Sequence, residues 1–195
     1  MKKVITFAVA LLTFVQVHAQ QTSPGNLPKQ SIYLEIGGAS NLAGLSYERR
    51  FSGNDRFGWR TGVAFVYAEH MSIFTGSDDL RGWTVPIEVN YLTGRRKSHL
   101  ELGVGINLGY YNEHTHYYYY QHTGEVDGIY QYDVEQRHDT RNTWGHFFYG
   151  NIGYRYQAKS GFQFRAGISP SFNLGGDHAV SKSFFWPYLS LGYAF

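Results

Sequence analysis

Two groups of residues in the 195-residue chain have the types that chemistry needs. The first is His70-x-Ser72. On a strand, residues two apart lie on one face. The imidazole and the hydroxyl would therefore sit together, with Glu69, Asp78 or Asp79 near enough in sequence to orient the histidine. A serine next to a base, backed by an acid, is the arrangement of nucleophilic acyl transfer. The second group is His114, His116, His122 and His138, with Asp127, Asp133 and Asp139. His114 and His116 share a face by the same alternation, and imidazole with carboxylate is a donor set that zinc accepts. Neither group is supported further along the chain. A strand fraying into a polar loop accounts for the His-x-Ser pair, and no third metal ligand is fixed by spacing. The expectation is no catalytic site, no metal and no cofactor.

A third group is marked by charge. Glu35, Glu48, Glu88 and Glu101 stand against Arg50, Arg60, Arg155 and Arg165, four acids balanced by four bases. What they do depends on the elements that carry them. In the stretch LELGVGINLGY, Leu100, Leu102, Val104, Ile106, Leu108 and Tyr110 alternate with Glu101, Gly103, Gly105, Asn107 and Gly109. That is the period of a strand, and it recurs along the chain. It predicts eight strands, at about 31–38, 43–51, 57–70, 83–92, 99–112, 145–157, 162–174 and 184–195. An even number of strands in up-and-down order can close into a barrel and lose its edges. Pro86, Pro170 and Pro187 fall inside strands. Each removes a ladder donor, so bulges or strand ends are expected there.

On every predicted strand one face is Leu, Ile, Val, Phe and Tyr. The other collects Gly, Ser, Asn, Gln and the eight charges, most of them toward one end of the barrel. A neutral set of charges gathered on one sheet face fits a narrow lumen, where charges must be paired. Glycine suits the same face, because eight strands enclose little room. The apolar face must then point outward, toward lipid, and closure satisfies every backbone group as a bilayer requires. Leu102, Val104 and Ile106 are thus placed against acyl chains. By this facing, Ile106→Arg should be costly and Asn107→Ser mild. The connections agree: SGND, TGRRKS and AKSG are short, and on the other side the connections at 73–82, 112–143 and 175–183 are longer, with 39–42 a very short exception. Trp59 falls at one boundary and Trp83, Trp144 and Trp186 at the other, where an interfacial girdle belongs; by parity alone, Trp186 instead points to the lumen.

Residues 1–19 read as a cleaved signal peptide, with Lys2 and Lys3 before an apolar run and small residues ahead of Gln20. Residues 20–30 read as a short polar lead-in, and 31–195 as a single barrel domain with a long outer loop or hairpin at about 112–143. Within that segment HTHYYYYQ and IYQYDVEQ flank a Gly-containing turn, the pattern of a hairpin carrying strands five and six beyond the membrane. Tyr117, Tyr118, Tyr119, Tyr120, Tyr130 and Tyr132 are its candidate surface-binding residues, since such rings present an apolar body and a polar tip. The net charge is +2 and charged residues are 16% of the chain, with no basic stripe, which argues against nucleic-acid binding. Cysteine is absent, which excludes disulfides and thiol catalysis.

In pattern, size and ending the chain resembles the eight-stranded outer-membrane β-barrels of the outer membrane protein A and outer membrane protein X type. The most specific piece is the ending YLSLGYAF, whose Tyr193-Ala194-Phe195 matches the family's aromatic-x-aromatic triplet; Ser190 stands where the family usually has glycine. The resemblance implies an all-β, up-and-down transmembrane barrel in the outer membrane of a Gram-negative-type envelope. Its implied partners are outer-membrane lipid or lipopolysaccharide, the barrel assembly machinery that reads Tyr193 and Phe195, and a surface protein at the outer loops. The function it implies is non-enzymatic, in envelope integrity or surface interaction. Two alternatives follow from other barrels. A lipid A deacylase or acyltransferase would use Ser72 and His70, but deacylases place their His-x-Ser pair much later in the chain. A soluble exported lipocalin-like barrel would need the opposite facing, with an apolar interior.

Overall fold

The computed structural model describes residues 28–69, 79–95, 97–126, 129–173 and 183–195. Eight strands form one closed antiparallel sheet: β1 (Gln30–Gly37), β2 (Ala43–Phe51), β3 (Asn54–Glu69), β4 (Asp79–Arg95), β5 (Ser98–Val126), β6 (Ile129–Gln157), β7 (Phe162–Phe172) and β8 (Ser183–Ala194). Each strand pairs with its neighbours in sequence, and β8 returns to β1 through Ile32 opposite Tyr193 and Leu34 opposite Leu191. Gln30 and Phe195 exchange backbone hydrogen bonds of 3.0 and 2.8 Å at this seam. Closure leaves no free edge around the barrel wall.

The alternation decides the facing. Leu34, Ile36, Val63, Ile87, Val104, Ile152, Leu189 and Leu191 are exposed on the outside, Val104 at 69%. Ser46, Glu48, Arg60, Glu88, Glu101, Asn107, Asn151 and Arg165 are buried inside. This is the reverse of a water-soluble barrel, and it removes the lipocalin-like reading. Aromatic pairs bound the apolar belt. Tyr47 with Trp59 and Phe57 with Tyr91 mark one rim, with ring centroids 5.7 and 4.8 Å apart; Phe65 with Trp83 and Tyr110 with Trp144 mark the other, at 5.1 and 5.0 Å. Tyr91 to Trp83 is eight strand steps, about 20 Å once tilt is allowed for, close to the band height of outer-membrane barrels.

The three internal prolines are accommodated without bulges. β3–β4 pairing stops at Thr61 opposite Ile87 and resumes in the same register at Ala64 opposite Thr84, skipping Pro86. β6–β7 pairing likewise skips Pro170 between Tyr149–Ser171 and Ile152–Ile168. Pro187 lies one residue beyond the last β1–β8 pair, Gly37 with Tyr188. A proline deletes one N–H, directed at one neighbour; the loss is local, so the register need not slip. Register shifts among the described residues lie instead at Arg50/Phe51 and His122/Gly124.

Candidate functional site

The eight charged residues picked out by parity form one buried cluster in the half of the barrel nearer the short turns. They connect as an alternating ladder: Arg50, Glu48, Arg155, Glu101, Arg165, Glu35, Arg60, Glu88. Arg155 Nη2 lies 2.5 Å from Glu48 and its Nε 2.8 Å from Glu101. Arg165 grips Glu101 through Nε at 2.9 Å and Nη2 at 2.5 Å, and reaches Glu35 at 3.3 Å. Arg60 donates to Glu35 at 2.9 Å, and its Nε lies 3.0 Å from Glu88. Asn90 and Asn151 donate to Glu48 and Glu88, at 3.2 and 2.5 Å. The ladder draws on seven strands. The eighth, β8, supplies Tyr188, whose ring centroid is 5.5 Å from the Arg165 guanidinium, with Tyr33 on β1 at 4.4 Å. Glycine on facing positions makes room: a Cβ at Gly103 would run into the Glu88 carboxylate, and one at Gly153 into the Tyr188 hydroxyl.

Above the charges the lumen is closed by the chain itself. Residues 39–42, expected as a short outer turn, fold inward as a 3-10 turn, Gly38–Ser40, with Ala39 and Ser40 fully buried. Gly37 and Gly38 adopt φ of 76° and 57°, values that other residues rarely take. A Cβ at Gly37 would also overlap the Pro187 carbonyl. Three side-chain bonds hold the turn: Asn107 Nδ2 donates to the Ala39 carbonyl at 2.6 Å, Ser40 Oγ to Glu35 at 2.9 Å, and Asn41 Nδ2 to Thr84 at 3.1 Å. Phe147, Tyr149 and Trp186 pack on Ala39. Trp186 is thus part of the plug and not of the girdle, as strand parity indicates and its place at a strand end does not. Val66, Leu80 and Tyr111 form a further apolar layer beyond.

Asn107 shows how the plug corrects a sequence-based expectation. Read from period alone, Asn107→Ser is a mild change. In the structure the amide is fully buried and carries the plug, so Asn107→Ala is expected to cost about 1–3 kcal/mol, read from urea unfolding in vesicles. The charge ladder and, above it, the inward turn both lie across the lumen. Planar bilayers holding the folded chain are therefore expected to show no sizeable steady current; sustained channel-like steps would contradict the plugged arrangement.

Past the Trp83 and Trp144 rim the molecule changes character. β3 and β4 pair out to Glu69 opposite Asp79, and β4 pairs β5 out to Asp79 opposite His114. Beyond that point β5 and β6 continue alone among the described residues, to Val126 opposite Ile129. From Tyr110 to Val126 is sixteen strand steps, about 50 Å along the strand. Tyr118 and Tyr119 are exposed on this hairpin. Tyr117, Tyr120, Tyr130 and Tyr132 take ladder positions opposite Arg137, Val134, Glu125 and His122.

His70, Ser72 and Asp78 lie outside the described residues, as does Asp127. His114 Nδ1 is 3.0 Å from the Thr140 hydroxyl, and His116 stands opposite His138 in the ladder. Among the described residues no three His, Asp or Glu side chains converge as metal ligands.

No family model matches the chain. No curated protein matches its sequence. Comparison of the fold is informative. The N-terminal β-barrel domain of Pseudomonas aeruginosa OprF superposes with a TM-score of 0.51 at 13% identity, covering 86% of this chain and 99% of that one. The chain has the fold of the eight-stranded outer-membrane β-barrels. Ail, the attachment invasion locus protein of Yersinia pestis, aligns with a TM-score of 0.47 at 14% identity, over 87% of this chain and 100% of its own. Neisserial surface protein A (NspA) aligns at 0.44 and 14%, over 86% and 95%. In this chain the eight-stranded barrel fold carries the charge ladder and the inward turn within its lumen.

Proposed function

We propose that this is a non-enzymatic integral barrel of the outer membrane, exported by its N-terminal signal, that acts in surface interaction through the β5–β6 hairpin. The observation that carries the reading is the division of the molecule. The barrel is apolar outside and lined with paired charges within, whereas the hairpin runs on past the rim as a two-stranded ribbon that exposes tyrosine, histidine and charge. The ladder and the inward turn lie across the lumen, and the ribbon is the part that stands clear of the barrel wall. Lipid and lipopolysaccharide are the surroundings of the belt, and Tyr193 and Phe195, at the barrel seam, are the residues offered to the assembly machinery. Two results test this. Excising 115–139, which joins the paired residues His114 and Thr140, should leave a barrel that still shows heat-modifiable gel migration. Protease added to intact cells should cut within the hairpin and spare the barrel; a hairpin reached only after the cells are broken would overturn the orientation.

A further inference from the structure

Resting on the reading that the barrel spans the outer membrane with its hairpin outward, we propose that its short-turn rim binds the phosphate groups of anionic phospholipid in the inner leaflet. The first observation is how charge divides along the barrel axis. The ladder is four acids and four bases paired with one another, so it lends the rim no net charge. At the short-turn end the picture differs. Lys29 leads into β1, Arg49 and Arg56 flank the β2–β3 turn, Lys97 lies in the β4–β5 turn and Lys159 in the β6–β7 turn; all five are exposed. The acids at that end are Asp55 and the terminal carboxyl group of Phe195. The residues ahead of Lys29 include no Asp or Glu. Past the Trp83 and Trp144 rim the balance reverses. Among the described residues there, the acids, from Glu69 and Asp79 to Glu135 and Asp139, outnumber Arg81, Arg137 and Arg141. One end of the barrel is basic and the other acidic, with a neutral filling between.

The second observation is depth. Arg49 stands opposite Trp59 in the β2–β3 ladder, and both lie on the outer face of the wall. Lys29 is beside them, its carbonyl accepting from the Arg50 N–H at 2.7 Å. Arg56 is tied to the girdle itself, Nη1 donating to the Tyr91 hydroxyl at 3.1 Å. Among the described residues the side chains of Lys29, Arg49, Lys97 and Lys159 make no ion pair and no hydrogen bond. These cations therefore ring the belt at and just beyond its aromatic boundary, which is headgroup depth. Their apolar stems can lie along the wall while the charged ends reach a phosphate. Bases at such a surface are drawn to anionic lipid, and the attraction dies away within a Debye length. Lipid phosphate is the anion that stands at this depth all around the wall.

The tryptophans make each rim readable. Trp59 lies at the short-turn rim, Trp83 and Trp144 at the other, and Trp186 is packed on the plug inside the barrel. In the full chain folded into phosphatidylcholine vesicles, Trp83→Phe with Trp144→Phe leaves Trp59 as the lipid-facing reporter. Trp59→Phe leaves the opposite pair. Brominated phosphatidylglycerol and brominated phosphatidylcholine are then compared as quenchers. At Trp59 the anionic lipid is expected to bind about fivefold or more tighter than phosphatidylcholine, the effect of roughly one base at a charged surface. At Trp83 and Trp144 it should show no such advantage. Lys29→Gln with Arg49→Gln should lower the Trp59 preference to about twofold or less, whereas Lys29→Arg with Arg49→Lys should keep it. Heat-modifiable migration checks that each barrel is folded. No anionic preference at Trp59 of a folded chain, an equal preference at both rims, or a preference untouched by the glutamine pair would each overturn the lipid site. A rim that held soluble polyglutamate while Trp59 showed no lipid preference would overturn it in favour of a periplasmic polyanion. Quenching by both lipids alike overturns the preference while the membrane reading stands; quenching of no rim tryptophan by either lipid overturns both.

Discussion

Glu101→Ala is expected to lower the unfolding free energy by about 3–5 kcal/mol, measured by urea titration of the chain folded into vesicles. Glu101 sits mid-ladder and is fully buried, and it is the carboxylate on which Arg155 and Arg165 both converge. Removing it leaves two guanidinium groups sealed in the lumen with a single remaining acid each, Glu48 and Glu35. The size of the effect does not mean that the ladder contributes that much net stability. Desolvation offsets most of the attraction in such a cluster, and the cost arises when one partner is taken away and the others stay. Glu88→Gln, at the end of the ladder, should cost clearly less, because Arg60 keeps Glu35 and the new amide can still bond to Asn151. Equal and small effects at both positions would mean that water reaches the cluster.

Val104→Arg is the second large effect, about 2–4 kcal/mol of destabilisation in the same titration. Val104 is 69% exposed between the two aromatic rims, where exposure means contact with acyl chains. An arginine there must strip its hydration or bend toward a boundary several residues away. Val134→Arg is the matched comparison: also a valine, also exposed, but on the hairpin past the rim. It should change stability by no more than about 0.5 kcal/mol, as surface substitutions in water do. The contrast separates a lipid-facing surface from a merely exposed one, which neither residue alone can do.

The alternation of single strands made much of this legible in advance. Leu100 through Tyr110 fixed which side of β5 faces outward, and the same parity put all eight ladder residues on the lumen side before any contact was known. Strand period is local, so it survives without knowledge of neighbours. The inward turn was not legible for the opposite reason. GGASN reads as an ordinary tight connection, and only partners far away in sequence, Thr84 and Asn107, draw it into the lumen. Gly37, Gly38 and Asn41 all take positive φ in this turn, a backbone path that the residue types alone do not fix. Trp186 was ambiguous because its place at a strand end suggested a girdle and its parity suggested the lumen; the space above the charges decided for parity. The prolines suggested bulges because a lost donor is visible in sequence, whereas its confinement to one neighbour is not. The extension of β5 and β6 followed from the Tyr-rich alternation on both sides of a glycine turn.

The inverted facing is tested most directly by removing the surfactant. Folded chain exchanged from detergent into plain buffer should leave solution as large aggregates in a sedimentation experiment, since Leu34, Ile36, Val104 and Leu191 would meet water all around the belt. Persistence as one species of monomer mass in surfactant-free buffer, with its strand content intact, would contradict a lipid-facing exterior.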